Sequence, residues 1–295
     1  MRFWMHRWKS TAGASAAGTE RMSRGMNGFD LFRCPVCRAD LALTERTLRC
    51  PQRHSFDLAR TGYVNLLTGH GAVPAEGGDG PQQLARRDAF LAQGHFDGIT
   101  DAIRDRLEPS MRTILDAGCG TAHHLHRLAG AGSGFAAAGI DVSKDAAAYA
   151  AKRHPDFAFA VTDIWRDWPV RDAAVDVVLS IFAPKNFPEA ARVLRPGGIL
   201  AVAFPGPDHL IELRQAFALL DQSEGKTETY AAAMAAAVGA PGHHRLRAVA
   251  RLDATDIANV ILMGPNAHRT TLEALPPEGA RDVTFDIELL IARKK

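Results

Sequence analysis

Two sets of residues in this 295-residue chain have the types and spacing for chemistry. The first is Cys34-Pro-Val-Cys37 followed, after twelve residues, by Cys50-Pro-Gln-Arg-His54. Cys-x2-Cys with Cys-x3-His supplies four donors that can close a tetrahedron around zinc, and a closed set leaves no position for water or substrate, so such a metal is structural. A disulfide reading leaves one thiol unpaired and ignores His54. The second set is three acids, each ending an apolar run. Thr113-Ile-Leu-Asp-Ala-Gly-Cys-Gly-Thr-Ala122 reads as strand, tight turn and helix, with Asp116 at the strand end and Gly118 and Gly120 giving the turn its freedom. Asp141 ends Ala138-Gly-Ile-Asp-Val142, one helix later, and Asp163 ends Phe157-Ala-Phe-Ala-Val-Thr-Asp163. Asp141 can take both hydroxyls of a ribose, and Asp163 can accept from the exocyclic amine of an adenine.

A dinucleotide site has the same spacing of glycine turn and second-strand acid, but its pyrophosphate wants backbone amides. Asp116 instead suits a cationic sulfonium and an amino group. That charge sign favours S-adenosylmethionine and the class I methyltransferase pattern. Cys119, inside the turn, has no second catalytic cysteine nearby in sequence and reads as a small packing residue.

The elements that position these groups follow from periodicity. Val175-Asp-Val-Val-Leu-Ser-Ile-Phe182 is a fourth strand, and Ala183, Pro184, Lys185 and Asn186 follow at its carboxyl end, where ligands of open α/β sheets bind. Glu189 is the nearest carboxylate there. Ala190 to Gly198 reads as a helix end and tight turn, and Ile199 to Phe204 as the fifth strand. His209 opens a helix after that strand. Arg247 to Leu252 and Val283 to Ile291 alternate as strands around a helix over Asp253 to Met263, whereas Asp221 to Gly242 yields little. The expectation is an α/β fold with a Rossmann-like seven-stranded sheet whose last strand is antiparallel.

The composition, 46% hydrophobic and 23% charged, is that of a soluble protein, and a net charge of +2 is too small to announce nucleic acid by itself. Any RNA surface must be local. Arg33, Arg38, Arg46, Arg49, Arg53 and Arg60 surround the zinc ligands, and planar, bidentate guanidinium groups suit phosphate. Residues 1–28 read as a disordered extension or as the result of a start assigned too far upstream, with Met22 and Met26 following. No run is apolar enough for a signal peptide or a membrane span, so a cytoplasmic protein is expected. The chain then divides into a zinc-binding module at 29–67, a Gly-rich linker or lid at 68–83 and a methyltransferase domain at 84–295.

With Cys-Pro-Val-Cys, Cys-Pro-Gln-Arg-His-Ser-Phe-Asp, Gly62-Tyr-Val-Asn-Leu-Leu67, Arg87-x-x-Phe-Leu-x-x-Gly-His-Phe96 and the glycine turn, the chain resembles the 23S ribosomal RNA guanine-N1 methyltransferases from residue 30 onward. The resemblance implies a guanine in a ribosomal RNA hairpin loop as substrate, 23S rRNA or a large-subunit precursor as partner, and an RNA-recognising zinc module. It leaves open whether the protein is a homodimer. It adds Phe96, Thr121 and His209 to the cofactor set of Asp116, Gly118, Gly120, Asp141 and Asp163. Thr121-Ala-His-His-Leu125 is nearer to the macrolide-resistance members, and Ala122 stands where a third glycine is common, a substitution expected to be tolerated in helix packing.

The chemistry so implied is in-line transfer of a methyl group to guanine N1, whose proton needs an acceptor; Glu189 is the nearest carboxylate and is equally placed to cap the following helix. Two rival readings are a small-molecule methyltransferase with an inert zinc appendage and a zinc-bearing RNA-binding protein with an inactive methyltransferase domain.

Overall fold

The computed structural model describes residues 27–68, 78–130, 133–220, 225–268 and 279–295. Most of the expected N-terminal extension, and residues 69–77 of the expected linker, lie outside them.

The central strand, β5 (Thr113–Ala117), is buried along its whole length. A run apolar on both faces forms such a strand because helices cover both sides of a parallel sheet. It pairs in parallel with β6 (Ala136–Asp141) on one side and β8 (Val175–Ile181) on the other. The chain leaves β5 in opposite directions at this point, and a crevice opens at the carboxyl ends of the strands. Asp176 locks the opposite ends: its Oδ2 accepts from the backbone N–H groups of Arg112 and Thr113, each at 2.9 Å.

Beyond β6 lie β7 (Ala158–Val161) and β4 (Val64–Asn65); beyond β8 lie β9 (Leu194–Pro205), β11 (Arg281–Arg293) and β10 (Gly242–Leu252). The sheet therefore has eight strands in the order β10-β11-β9-β8-β5-β6-β7-β4. The expected seven are all present, and β11 is antiparallel to both neighbours. The eighth is β4, parallel to β7, which comes from the zinc-bearing segment. Two residues are too short to carry a period, so the strand was not legible. The expected tight turn before the fifth strand is an irregular stretch within β9: Leu194 pairs with Val175, but Val177 pairs with Ile199.

One face of the sheet, with Ile114, Val177 and Leu179, packs against α1 (Pro81–Leu91), α2 (Asp97–Arg104), α3 (His123–Ala129) and α8 (Ala254–Leu262). The other, with Leu115, Val178 and Leu200, packs against α5 (Phe187–Val193), α7 (Lys226–Ala237) and the zinc-bearing segment. Phe32 and Leu48 of that segment are fully buried, each contributing about 1.5–3 kcal/mol by its burial. Gly28, expected in the disordered extension, is part of this packing: it opens a 3-10 turn capped by Asn27, and a Cβ there would lie 2.0 Å from the Ala137 carbonyl oxygen. The helix α7 lies in the stretch that the sequence left unread. Among the described residues, no helix is long and apolar enough to cross a membrane.

Candidate functional site

The four N-terminal donors converge. β1 (Ala42–Thr44), β2 (Thr47–Arg49) and β3 (Ser55–Asp57) form a small antiparallel sheet between two knuckles. Each knuckle closes on a hydrogen bond, Arg38 N–H to Cys34 O at 2.8 Å and Arg53 N–H to Cys50 O at 3.0 Å, with both arginines in the left-handed region. The ligand atoms of Cys34, Cys37, Cys50 and His54 all lie within 4.8 Å of one another. Nδ1 of His54 faces the thiols, 3.3 Å from Cys50 Sγ and 3.6 Å from Cys34 Sγ, and the Cys37 and Cys50 sulfurs are 3.6 Å apart. These are separations between corners of a tetrahedron whose metal–sulfur bonds are about 2.3 Å, so the donor set fits zinc.

The three acids end adjacent strands. Asp116 is 3% exposed, and no described residue donates a hydrogen bond to its carboxylate. Burial and the nearby Asp141 push it up to about 7, with Lys185 opposing. A buried carboxylate in that condition calls for a cation, which is the fit expected of a sulfonium with its amino group. Asp141 Oδ2 accepts from the Gly120 N–H and Oδ1 from the Ser143 N–H, each at 2.9 Å; burial raises its pKa and these bonds oppose the rise. Asp163 lies two residues past β7, its Oδ1 accepting from Trp165 N–H at 2.9 Å and its Oδ2 paired with Arg166 at 3.2 Å.

Around the turn, Gly118 has φ +82 and Gly120 φ +51, and a Cβ on Gly118 would lie 2.4 Å from Ala183 Cβ. The turn is thus closely approached by the loop after β8. Thr121 is buried beside it. Ala122 also has a left-handed φ of +60, so the common glycine answers backbone geometry, and alanine there costs about 1–2 kcal/mol of strain. From the other side, Asp79 pairs with Arg87, its carbonyl accepts from Ser143 Oγ at 2.9 Å, and the Arg87 guanidinium lies over Gly120. Neither Asp79 nor Arg87 was assigned a site role from sequence, although Arg87 opens one of the quoted motifs.

At the end of β8 the polar candidates turn inward. Lys185 Nζ donates to the carbonyls of Ser180 at 3.3 Å and Ala203 at 3.4 Å, and burial pushes it down to about 7. Asn186 donates to Ile164 O at 2.9 Å and caps α5. Glu189 accepts from Trp168 N–H at 2.6 Å and grips Arg192 through both oxygens. Although burial raises it, the Arg192 and Trp168 hydrogen bonds prevail and hold it below the usual carboxylate range. Its contacts are those of a structural anion. Pro184 remains exposed, and Ala183 covers the turn.

His209 is buried, with Nδ1 accepting from Asp286 N–H at 3.3 Å; burial pushes it down to about 4, so the ring is neutral with its proton on Nε2. Its ring centroid is 6.0 Å from Phe96 and 6.2 Å from Phe182, a residue that sequence reasoning placed at the strand end and gave no role.

Between the zinc-bearing segment and the sheet runs a cleft of about 430 Å³, lined by Arg33 and Arg38 on one wall and Thr162, Asp163 and Arg166 on the other, with Leu66 and Leu67 between.

A glycine turn beneath three strand-end acids at the switch point of this sheet, joined to a Cys3His ribbon, defines an S-adenosylmethionine-dependent methyltransferase with a structural zinc site. Residues 114–198 match the family model described as "Methyltransferase domain", and residues 32–70 match the zinc-ribbon model described as "RlmA, N-terminal". The chain is 36% identical over 272 residues to the 23S rRNA (guanine(748)-N(1))-methyltransferase of Streptomyces fradiae, covering 89% of this chain and 96% of that relative. YxjB of Bacillus subtilis, provisionally named for the same class of reaction, is 36% identical over 283 residues, 90% of this chain and 98% of the relative. The chain belongs to the 23S rRNA (guanine-N1)-methyltransferase family.

Proposed function

We propose that this chain transfers a methyl group from S-adenosylmethionine to N1 of a guanine in a 23S rRNA hairpin loop, on naked RNA or on a large-subunit precursor. When bound, S-adenosylmethionine supplies an electrophilic methyl on a positively charged sulfur. Asp116, buried and without a hydrogen bond from the described residues, holds that end of the cofactor by charge. Asp141 holds the ribose while fixing the glycine turn through Gly120. Asp163 is the partner for the adenine amine, and Phe96, Thr121 and His209 enclose the remainder. Guanine N1 carries a proton in the neutral base, and the site must bring its in-plane edge to the methyl.

The observation that carries the RNA reading is the junction. The ribbon shares its apolar core and β4 with the methyltransferase sheet, and the arginine-lined cleft between them leads to Asp163. Arginines stand on both walls, Arg38 paired with Asp167 at 2.7 Å and Arg166 with Asp163 at 3.2 Å, and the guanidinium N–H groups beyond those pairs suit a phosphate backbone held in register with the crevice. A small-molecule methyltransferase has no use for it. Acting on ribosomal RNA, the chain works in the cytoplasm.

The test is transfer of labelled methyl from S-adenosylmethionine to unmodified 23S rRNA, with free guanosine and guanosine triphosphate as parallel acceptors. Label is expected in RNA alone. Label in the free nucleosides at comparable efficiency would contradict an RNA substrate.

A further inference from the structure

The loop after β8 pairs two unfavourable features in one residue. Phe182 is 39% exposed, although the adjoining rings of Phe96 and His209 are buried. It also has φ +52, a left-handed conformation that bulky side chains avoid. The neighbours dictate that conformation: its N–H donates to Ala203 O at 3.0 Å, and the next residue, Ala183, is pressed against Gly118. An exposed aromatic ring held by a strained backbone at the ligand-binding edge of the sheet, on the loop that covers the glycine turn, is placed for contact with a second molecule.

The ring is braced from behind. Phe96 lies 5.3 Å from it between centroids, inclined at 39°, and His209 lies 6.2 Å away, inclined at 31°. Both braces are buried, and His209 is neutral. The polar side chains that follow, Lys185 and Asn186 in the loop and Glu189 in the first turn of α5, are all occupied by protein partners. What this strand end offers outward is therefore an aromatic face.

We infer that Phe182 stacks on the target guanine and fixes its plane for methylation. This rests on the RNA reading above. A base taken from a loop loses its stacking neighbours, and an aromatic ring replaces one of them. Attack by N1 takes place in the plane of the base, so a ring on the face of the purine orients that plane and leaves the N1 edge clear. A hydrogen-bonding side chain is not needed for this task.

The experiment uses the zinc-loaded full chain and its Phe182→Leu, Phe182→Tyr and Phe182→Gly variants. Each is assayed for S-adenosylmethionine affinity by calorimetry and for kcat and KM on unmodified 23S rRNA. The Leu and Gly variants are expected to bind cofactor within about threefold of the parent and to lose roughly 10- to 100-fold in kcat/KM for RNA, with Tyr retaining activity. Gly, which relieves the left-handed strain, is expected to melt no lower than Leu while being at least as inactive, which a purely structural role does not predict. Retention of kcat/KM by Leu, or a parallel loss of cofactor affinity, would overturn the assignment and leave the RNA reading intact. Failure of the parent to label RNA would overturn both.

Discussion

The Gly120 N–H donates to Asp141 Oδ2 at 2.9 Å, so the glycine turn that ends one strand is tied to the acid that ends the next. The second oxygen of Asp141 holds the Ser143 N–H, and Ser143 in turn donates its hydroxyl to the Asp79 carbonyl. One carboxylate therefore sets the turn, the start of the following helix and, through it, the segment leading into α1.

Replacing Asp141 by Asn puts an NH2 group where two backbone donors already point, so at least one of the two bonds is lost. Hydrogen bonds to a charged group contribute about 1.5–3 kcal/mol. S-adenosylmethionine affinity, measured by calorimetry, is expected to fall by roughly tenfold or more, with a lower melting temperature. Unchanged affinity would show that Asp141 serves the turn alone.

Asp116 makes cofactor binding pH-dependent. Its folded pKa of about 7 lies above the ordinary 3.8, so the folded protein keeps a proton that the unfolded chain has lost. The contribution of Asp116 to the stability of the ligand-free protein is full below the unfolded value and is lost as pH rises from about 4 to 7. A bound cation favours the charged carboxylate, so S-adenosylmethionine is expected to bind more tightly at pH 8 than at pH 6 and to release a proton on binding near pH 6. Calorimetry in buffers of different ionisation enthalpy reads both effects, and Asp116→Asn should remove them. A pH-independent affinity in the parent would count against charge pairing at this carboxylate.

Zinc removal should be felt by the whole molecule. Phe32 and Leu48 belong to one apolar cluster with Ala160 and Val178 of the large sheet, so loss of the ribbon exposes that face and frees β4. At about 1.5–3 kcal/mol for each of the two side chains, the loss is about 3–6 kcal/mol, or roughly 10 °C in melting temperature. Cys50→Ala protein, compared with the parent by metal analysis and thermal melting, should contain less than one zinc and show this shift. An unshifted melting curve would mean that the ribbon folds as an independent appendage.

Glu189 is the natural carboxylate to suspect as the proton acceptor, yet it is engaged by Arg192 and Trp168. Glu189→Gln is expected to destabilise the fold by about 1–3 kcal/mol and to leave kcat within about threefold at a temperature where the variant is folded. A hundredfold loss of kcat with unchanged stability would restore it as the base.

The sequence made the parallel core legible because buried parallel strands are continuous apolar runs, and β5, β6 and β7 each carry an acid at or just past their carboxyl ends. The zinc ligands were equally plain, since donor type and spacing are local properties. β4 escaped because two residues have no period, and α7 because Lys-Thr-Glu-Thr-Tyr followed by alanines has helix propensity but no contrast between faces. Phe182 escaped for a different reason: in the sequence it reads as the last residue of a strand, and only the fold reveals that its backbone turns left-handed and leaves the ring exposed. Lys185 and Asn186 were legible as neighbours of the site, but which way each side chain turns depends on carbonyls from β9 and from the loop after β7.

The most direct test of the account is primer extension on 23S rRNA that lacks modification, after incubation with the zinc-loaded chain and S-adenosylmethionine. A methyl on N1 blocks the Watson–Crick edge of guanine, so the account predicts a single new stop next to one hairpin-loop guanine, absent without cofactor. Incorporation of labelled methyl into the RNA with no stop at any guanine would contradict it, because the methyl would then lie elsewhere than on N1.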